Sequence, residues 1–223
     1  MKYKGLLFDM DGTLMDSEHL HIKAWINILK KVGIHTTPDY FQKWIGVSDV
    51  ELMPIILSEF GFGHNDSLDL VEQKRAFFRQ YAREELHTIP GVKEGLEALK
   101  NWPMALVTMS SKKNALLSIE LTKISHYFKT VITLNDVSIP KPDPECYLKA
   151  SSLLGFHANE CIAIEDSESG VKSAKSAGCF TIGVANTIEA NRLGMADVVF
   201  EDSGAVMEYL KEMSNRLQPK HQS

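Results

Sequence analysis

Six short, almost wholly apolar runs constrain this chain more than any other feature. They are GLLFD (5–9), MALVTM (104–109), TVITL (130–134), CIAIED (161–166), FTIGV (180–184) and DVVF (197–200). Segments of helix length, 112–124, 144–155 and 169–178, separate the later runs. Strands that are apolar throughout, rather than alternating, are buried on both faces, and that requires a parallel sheet with helices on either side. The expected fold is α/β, a doubly wound parallel sheet of Rossmann-like form.

One section breaks the alternation. Residues 17 to 84 carry helical patterns and no convincing strand. In 19–33, His21, Trp25, Ile28 and Val32 recur on one helix face, and Gly33 supplies a stop. In 49–61, Pro54 lies well inside the pattern and predicts a kink or break. A third helix is expected over 69–86. The reading is an all-helical cap inserted after the first strand. It divides the chain into a core (1–16 and 86–214), a cap domain (17–85) and a flexible polar tail (215–223) containing Pro219. The connections are expected near 13–18 and 84–90.

Composition enters by exclusion. The formal net charge of −5 argues against a nucleic-acid partner, which would require a clustered basic excess. No stretch reaches the length of a membrane span, and the apolar run near the N-terminus is too short for a secretory leader. Three cysteines without CxxC spacing read as free thiols in a reducing compartment. A cytoplasmic protein with no membrane partner, monomeric or dimeric, is expected.

In an open parallel sheet, ligands bind outside the carboxyl ends of the strands. Those ends carry Asp9 and Asp11, then Thr108 with Ser110 and Ser111, then Lys141 beyond the third run, then Glu165 and Asp166. Four acids converging on one edge repel unless positive charge sits among them. The donor set suits a hard divalent cation such as Mg²⁺, and a phosphate held by Lys141 and the hydroxyls.

These residues resemble the haloacid dehalogenase (HAD) superfamily of aspartate-nucleophile phosphotransferases, in the branch with a helical cap after the first motif. The resemblance covers about residues 1–212. It rests on DxDGT after a strand, a Thr ending a second strand, KPDP and EDS, in that order. It implies Asp9 as nucleophile and Asp11 as general acid/base, with a pKa raised by the nearby Asp9. It implies phosphate binding by Thr108, the following Met109 and Ser110, and Lys141. The implied Mg²⁺ shell is Asp9, the backbone carbonyl of Asp11, Asp166 and Glu165; a capping or solvated Glu165 is the alternative.

The cap would select the leaving group. In the third helix Leu70, Lys74, Phe77 and Tyr81 share a stripe, with Arg75, Arg79 and Arg83 on another side. Lys74 either snorkels from that stripe or points into the cleft. His21 is either a packed core histidine or a second cleft residue. The β-phosphoglucomutase subfamily has a His and a Lys at similar places, and a loop resembling Gly46-Val47-Ser48. Where that subfamily places an arginine for a distal phosphate, this chain has Asp49. A phosphatase for a small phosphorylated sugar or related metabolite is therefore expected, with a phosphoglucomutase as the second reading and a non-catalytic binding scaffold as a remote third. Dehalogenase chemistry needs neither Asp11 nor a metal. Phosphonatase chemistry would need a Schiff-base lysine, for which Lys74 or Lys43 would have to serve.

Overall fold

A computed structural model describes residues 2–63 and 66–217. Its six strands are β1 (Gly5–Phe8), β2 (Met104–Val107), β3 (Thr130–Ile132), β4 (Cys161–Glu165), β5 (Phe180–Val184) and β6 (Val198–Phe200). They form one sheet in the order β3-β2-β1-β4-β5-β6, every pairing parallel. In the central strand Leu6, Leu7 and Phe8 are all fully buried, as an apolar run covered on both faces requires. Their side chains alternate between faces. Leu6 and Phe8 pack with α4 (Val92–Ala98), α5 (Lys112–Leu121) and α8 (Ser203–Leu217). Leu7 packs with α6 (Glu145–Leu154) and α7 (Glu168–Ala177). The doubly wound expectation holds.

Between β1 and α4 the chain builds α1 (Glu18–Lys31), α2 (Asp49–Glu59) and α3 (Ser67–Glu85). Trp25, Ile28, Met53, Ile56 and Val71 bury their side chains against one another, giving the insert an apolar core of its own. A 3-10 segment, Pro38–Trp44, adds Phe41. The break expected at Pro54 does not occur: α2 runs through it. The proline lacks an N–H for the carbonyl four residues back, which is that of Val50 in the helix's first turn, so the loss falls near an end. Residues 215–217 of the expected tail complete α8, and 218–223 lie outside the described residues. The three cysteines are free and buried. Among the described residues no helix is long and apolar enough to cross a membrane.

From β1 the sheet extends one way through β2 and β3 and the other way through β4. The strand order thus switches between β1 and β4, and a crevice opens there at their carboxyl ends.

Candidate active site

The chain leaves β1 through a tight loop. The Asp9 N–H still reaches the Ile164 carbonyl of β4 at 3.0 Å, and Gly12 N–H donates to the Met15 carbonyl at 2.9 Å. Gly12 has φ +75°, and a Cβ there would lie 2.0 Å from Asp166 Oδ2. Both backbone conformation and space demand glycine. Asn186 Nδ2 donates to the Gly12 carbonyl at 2.8 Å and Ser203 Oγ to the Thr13 carbonyl at 2.5 Å, so the loop is tied to the far side of the sheet.

Lys141 is the hub of the floor. Its buried ammonium donates to Asp9 Oδ1 at 2.7 Å, Glu165 Oε1 at 2.5 Å and the Val107 carbonyl at 3.0 Å, which uses all three hydrogens. Glu165 is fully buried and equally committed: Tyr147 donates to Oε1 at 2.6 Å and Ser167 to Oε2 at 3.1 Å. Burial opposes the charge on Lys141, but Asp9 and Glu165 more than offset it and hold the ammonium protonated above its usual range. Tyr147 is pushed well up by burial and by the adjacent Glu165.

Asp9, Glu165 and Asp166 each offer a carboxylate oxygen within 4.8 Å of the others, all buried. Burial raises Asp9 well above the carboxylate range despite Lys141, with Glu165 and Asp166 adding to the rise. Asp166 is pushed up to about 8 by burial and Glu165. Buried acids that resist ionisation beside one another are the donor chemistry a hard divalent cation satisfies. The residues fit Mg²⁺. Asp9 Oδ2 accepts no hydrogen bond among the described residues, whereas Asp166 is oriented by Thr13 Oγ1 at 3.3 Å and by Thr187.

Asp11 turns its carboxylate away from that cluster, toward the insert. Oδ1 accepts from Ser17 at 2.7 Å and lies 3.3 Å from His21 Nε2; Oδ2 accepts from Ser110 at 2.7 Å and lies 3.4 Å from Thr108 Oγ1. The expected rise in its pKa is overturned. Burial does act upward, but His21 and the hydrogen bonds from His21, Ser17 and Ser110 win, and Asp11 is held well below the usual carboxylate range.

The contacts continue into the insert. His21 stacks on Phe78 and its Nδ1 lies 3.0 Å from Lys74 Nζ; Lys74 donates to Asp49 Oδ1 at 2.5 Å, and Arg75 Nε to Asp49 Oδ2 at 3.4 Å. Lys74 is 0% exposed and does not snorkel. His21, Lys74, Asp49 and Gly46 line, with Asp9, Asp11, Thr108, Met109, Ser110, Lys141 and Asp166, one cavity of about 110 Å³ between sheet edge and insert. Gly46 closes against α7: Ser169 Oγ donates to its carbonyl at 3.0 Å, and a Cβ would meet Ser167 at 2.8 Å. The expected acids, Thr108, Met109, Ser110, Lys141, His21, Lys74 and Gly46 are brought to this crevice, with Glu165 behind its floor; Ser111 instead caps α5, accepting from the Asn114 N–H. Sequence reasoning missed Ser17, Tyr147, Gly170, Asn186 and Thr187, and placed Arg75 away from a cleft residue it in fact pairs.

An open parallel sheet with an aspartate loop and a buried lysine at its switch point, roofed by a helical insert, defines a capped α/β enzyme of the aspartate-loop class. The chain belongs to the haloacid dehalogenase-like hydrolase family, whose model matches residues 6–184. It is 31% identical over 220 residues to the phosphorylated carbohydrates phosphatase of Thermotoga maritima, covering 94% of this chain and 99% of the relative. It is 29% identical over 217 residues to the β-phosphoglucomutase of Bacillus subtilis, covering 94% of each. The crystal structure of a Clostridium difficile β-phosphoglucomutase superposes with a TM-score of 0.82 at 26% identity, over 96% of this chain and 98% of that one. Hydrolase membership agrees with the expectation from the motifs.

Proposed function

We propose that this chain is a Mg²⁺-dependent phosphatase acting on a small phosphorylated carbohydrate or related metabolite, with Asp9 as nucleophile. The observation that carries the reading is the state of Asp9. Asp9 lines the cavity; one of its oxygens is pinned by Lys141, and the other has no hydrogen-bond partner among the described residues. Attack by that oxygen on phosphorus breaks the ester P–O bond, leaving an aspartyl-phosphate and an alkoxide that needs a proton. Asp11 lies across the cavity in reach of both steps. To protonate the leaving oxygen in the first step Asp11 must enter it as the carboxylic acid, against the pull of His21, Ser17 and Ser110. The carboxylate left behind then takes the proton from the water that hydrolyses the aspartyl-phosphate, which restores the acid for the next turnover. Lys141, with no free hydrogen, acts by its charge and by fixing Asp9, and Glu165 acts by holding Lys141. Thr108, Met109 and Ser110 form the wall against which the phosphoryl group sits.

Asp9, Asp166 and the Asp11 carbonyl would hold Mg²⁺, which supplies neutralisation of the carboxylates and the phosphoryl oxygens. The helical insert covers the cleft and excludes water from the first step.

The likeness to the B. subtilis enzyme supports a second reading, phosphoglucomutase. Asp49 opposes it, since an acid already bound to Lys74 and Arg75 leaves neither cation for a second phosphate. The test is turnover of p-nitrophenyl phosphate and a panel of sugar monophosphates. Asp9→Asn is expected to reduce it by about 10³-fold or more, and EDTA to abolish it reversibly. Activity that survives both overturns the reading, and isomer formation from β-glucose 1-phosphate without phosphate release favours the mutase.

A further inference from the structure

Five carboxylates line the cavity: Asp9, Asp11, Glu18, Asp49 and Asp166. Four are committed, Asp9 to Lys141, Asp11 to Ser17 and Ser110, Asp49 to Lys74 and Arg75, and Asp166 to Thr13 and Thr187. Glu18, the first residue of α1, differs: among the described residues it accepts no hydrogen bond and enters no ion pair. It is partly shielded from solvent at the start of α1, near enough to the floor to act on Asp166. Burial raises its pKa, with His21 and Lys74 near enough to draw it down and Asp11 and Asp49 near enough to add to the rise. A partly desolvated carboxylate that lines a cavity without donors is a ready acceptor for a ligand hydroxyl.

The cations of the lining point the same way. Lys74 is bound to Asp49 and His21, and Lys141 to Asp9, Glu165 and Val107. No lysine in the lining remains to receive a second anionic group. The part of the substrate beyond the phosphoryl group therefore meets one uncommitted carboxylate, Glu18, and no uncommitted lysine.

Resting on the phosphatase reading, we infer that Glu18 is a specificity-determining residue that accepts a hydrogen bond from a hydroxyl of the leaving group. The preferred substrate is then a polyol monophosphate with no second phosphate or carboxylate. The alternative account of Glu18, an acid in a helix's first turn favoured by the helix dipole, needs no ligand. It makes a different prediction.

The experiment compares the ratio of kcat/KM for polyol monophosphates to kcat/KM for p-nitrophenyl phosphate, whose leaving group has no alcohol hydroxyl. In Glu18→Ala the ratio is expected to fall about tenfold or more for the best polyol substrate, because a site built to bond a hydroxyl discriminates strongly through it. Glu18→Gln, which keeps a carbonyl acceptor, should fall between Ala and wild type. An unchanged ratio in both variants, with the two substrates losing activity in parallel, overturns the proposal in favour of the helix-dipole account. So does a wild type that prefers sugar bisphosphates, or p-nitrophenyl phosphate, to every polyol monophosphate tested. A wild type inactive on all phosphomonoesters sinks the phosphatase reading as well, which separates the two failures.

Discussion

Gly170→Ala sets two physical expectations of opposite sign against each other. Gly170 is the third residue of α7 and has ordinary helical conformation, so helix propensity alone predicts a gain of about 1 kcal/mol on adding a methyl group. The structure predicts a loss. A Cβ at this position would lie 2.0 Å from the Glu165 carboxyl carbon and 2.0 and 2.1 Å from its two oxygens. That carboxylate is not a loose side-chain end. It carries Lys141 at 2.5 Å, Tyr147 at 2.6 Å and Ser167 at 3.1 Å in a fully buried place. Overpacking costs about 1–3 kcal/mol, and losing a hydrogen bond to a charged group costs about 1.5–3 kcal/mol. Set against the propensity gain, the net loss is about 1.5–5 kcal/mol. For a chain of this size that lowers Tm by about 3–20 °C. Activity should fall with it, by about tenfold or more, since a displaced Glu165 lets Lys141 shift off Asp9 and small misplacements of reacting groups are expensive. Scanning calorimetry and p-nitrophenyl phosphate kinetics on the same preparation measure both. A variant with equal or higher Tm and wild-type turnover would refute the idea that Glu165 is wedged between α7 and Lys141.

Two further substitutions probe the same framework. Tyr147→Phe removes one donor to buried Glu165 and should cost about 1.5–3 kcal/mol in urea unfolding, with turnover lowered through Lys141; unchanged stability would show that the phenol is not needed there. Asp49→Ala breaks a pair with the buried Lys74 and should cost about 3 kcal/mol at pH 7. The Asp49 carboxyl, despite its burial, is held below its usual range by Lys74, His21 and Arg75. A depressed folded pKa gives stability that is present above the unfolded value of about 3.9 and lost as pH falls through the folded one. The gap between wild type and Asp49→Ala should therefore narrow as pH drops from 7 to below 4, and a gap that widens on acidification would contradict the pairing.

Strands were legible because each is a run of apolar residues buried on both faces, and β1 is the plainest case. Two helices were not. α4 contains Gly95, whose lack of a side chain admits Met207 of α8 to within 2.4 Å of where a Cβ would be. That reason for glycine exists only once the two helices meet. The residues that meet at the crevice were legible where they sit at strand ends, as Asp9, Asp11, Thr108 and Asp166 do. The supporting residues act across long separations in the chain: Thr187 lies 21 residues from Asp166, and Asn186 lies 174 from Gly12. No local pattern marks them. Lys74 was conspicuous in its apolar stripe, but whether it snorkels or turns inward depends on a partner, and that partner, Asp49, is on another helix.

The same partnership explains how one floor can serve different substrates. In the floor, charge is fixed by the reaction: Asp9 and Glu165 share Lys141, and the remaining buried acids suit a cation. In the roof, His21 touches Asp11, but the Lys74–Asp49–Arg75 group lies beyond it, and its charge can vary without touching a reacting group. A cation at position 49 beside Lys74 and Arg75 would put three like charges in a part-buried space, and only an anionic ligand would relieve their repulsion. An acid at that position relieves it from within the protein. The roof then has no call for a second anion, and Glu18 and the polar edge of the insert are left to meet hydroxyls. On the proposed reading, discrimination against bisphosphates would follow from supplying the counter-charge internally, without any added steric barrier. On the proposed phosphatase reading, the end of β1 would set the reaction, and the residue that neutralises Lys74 would set the substrate.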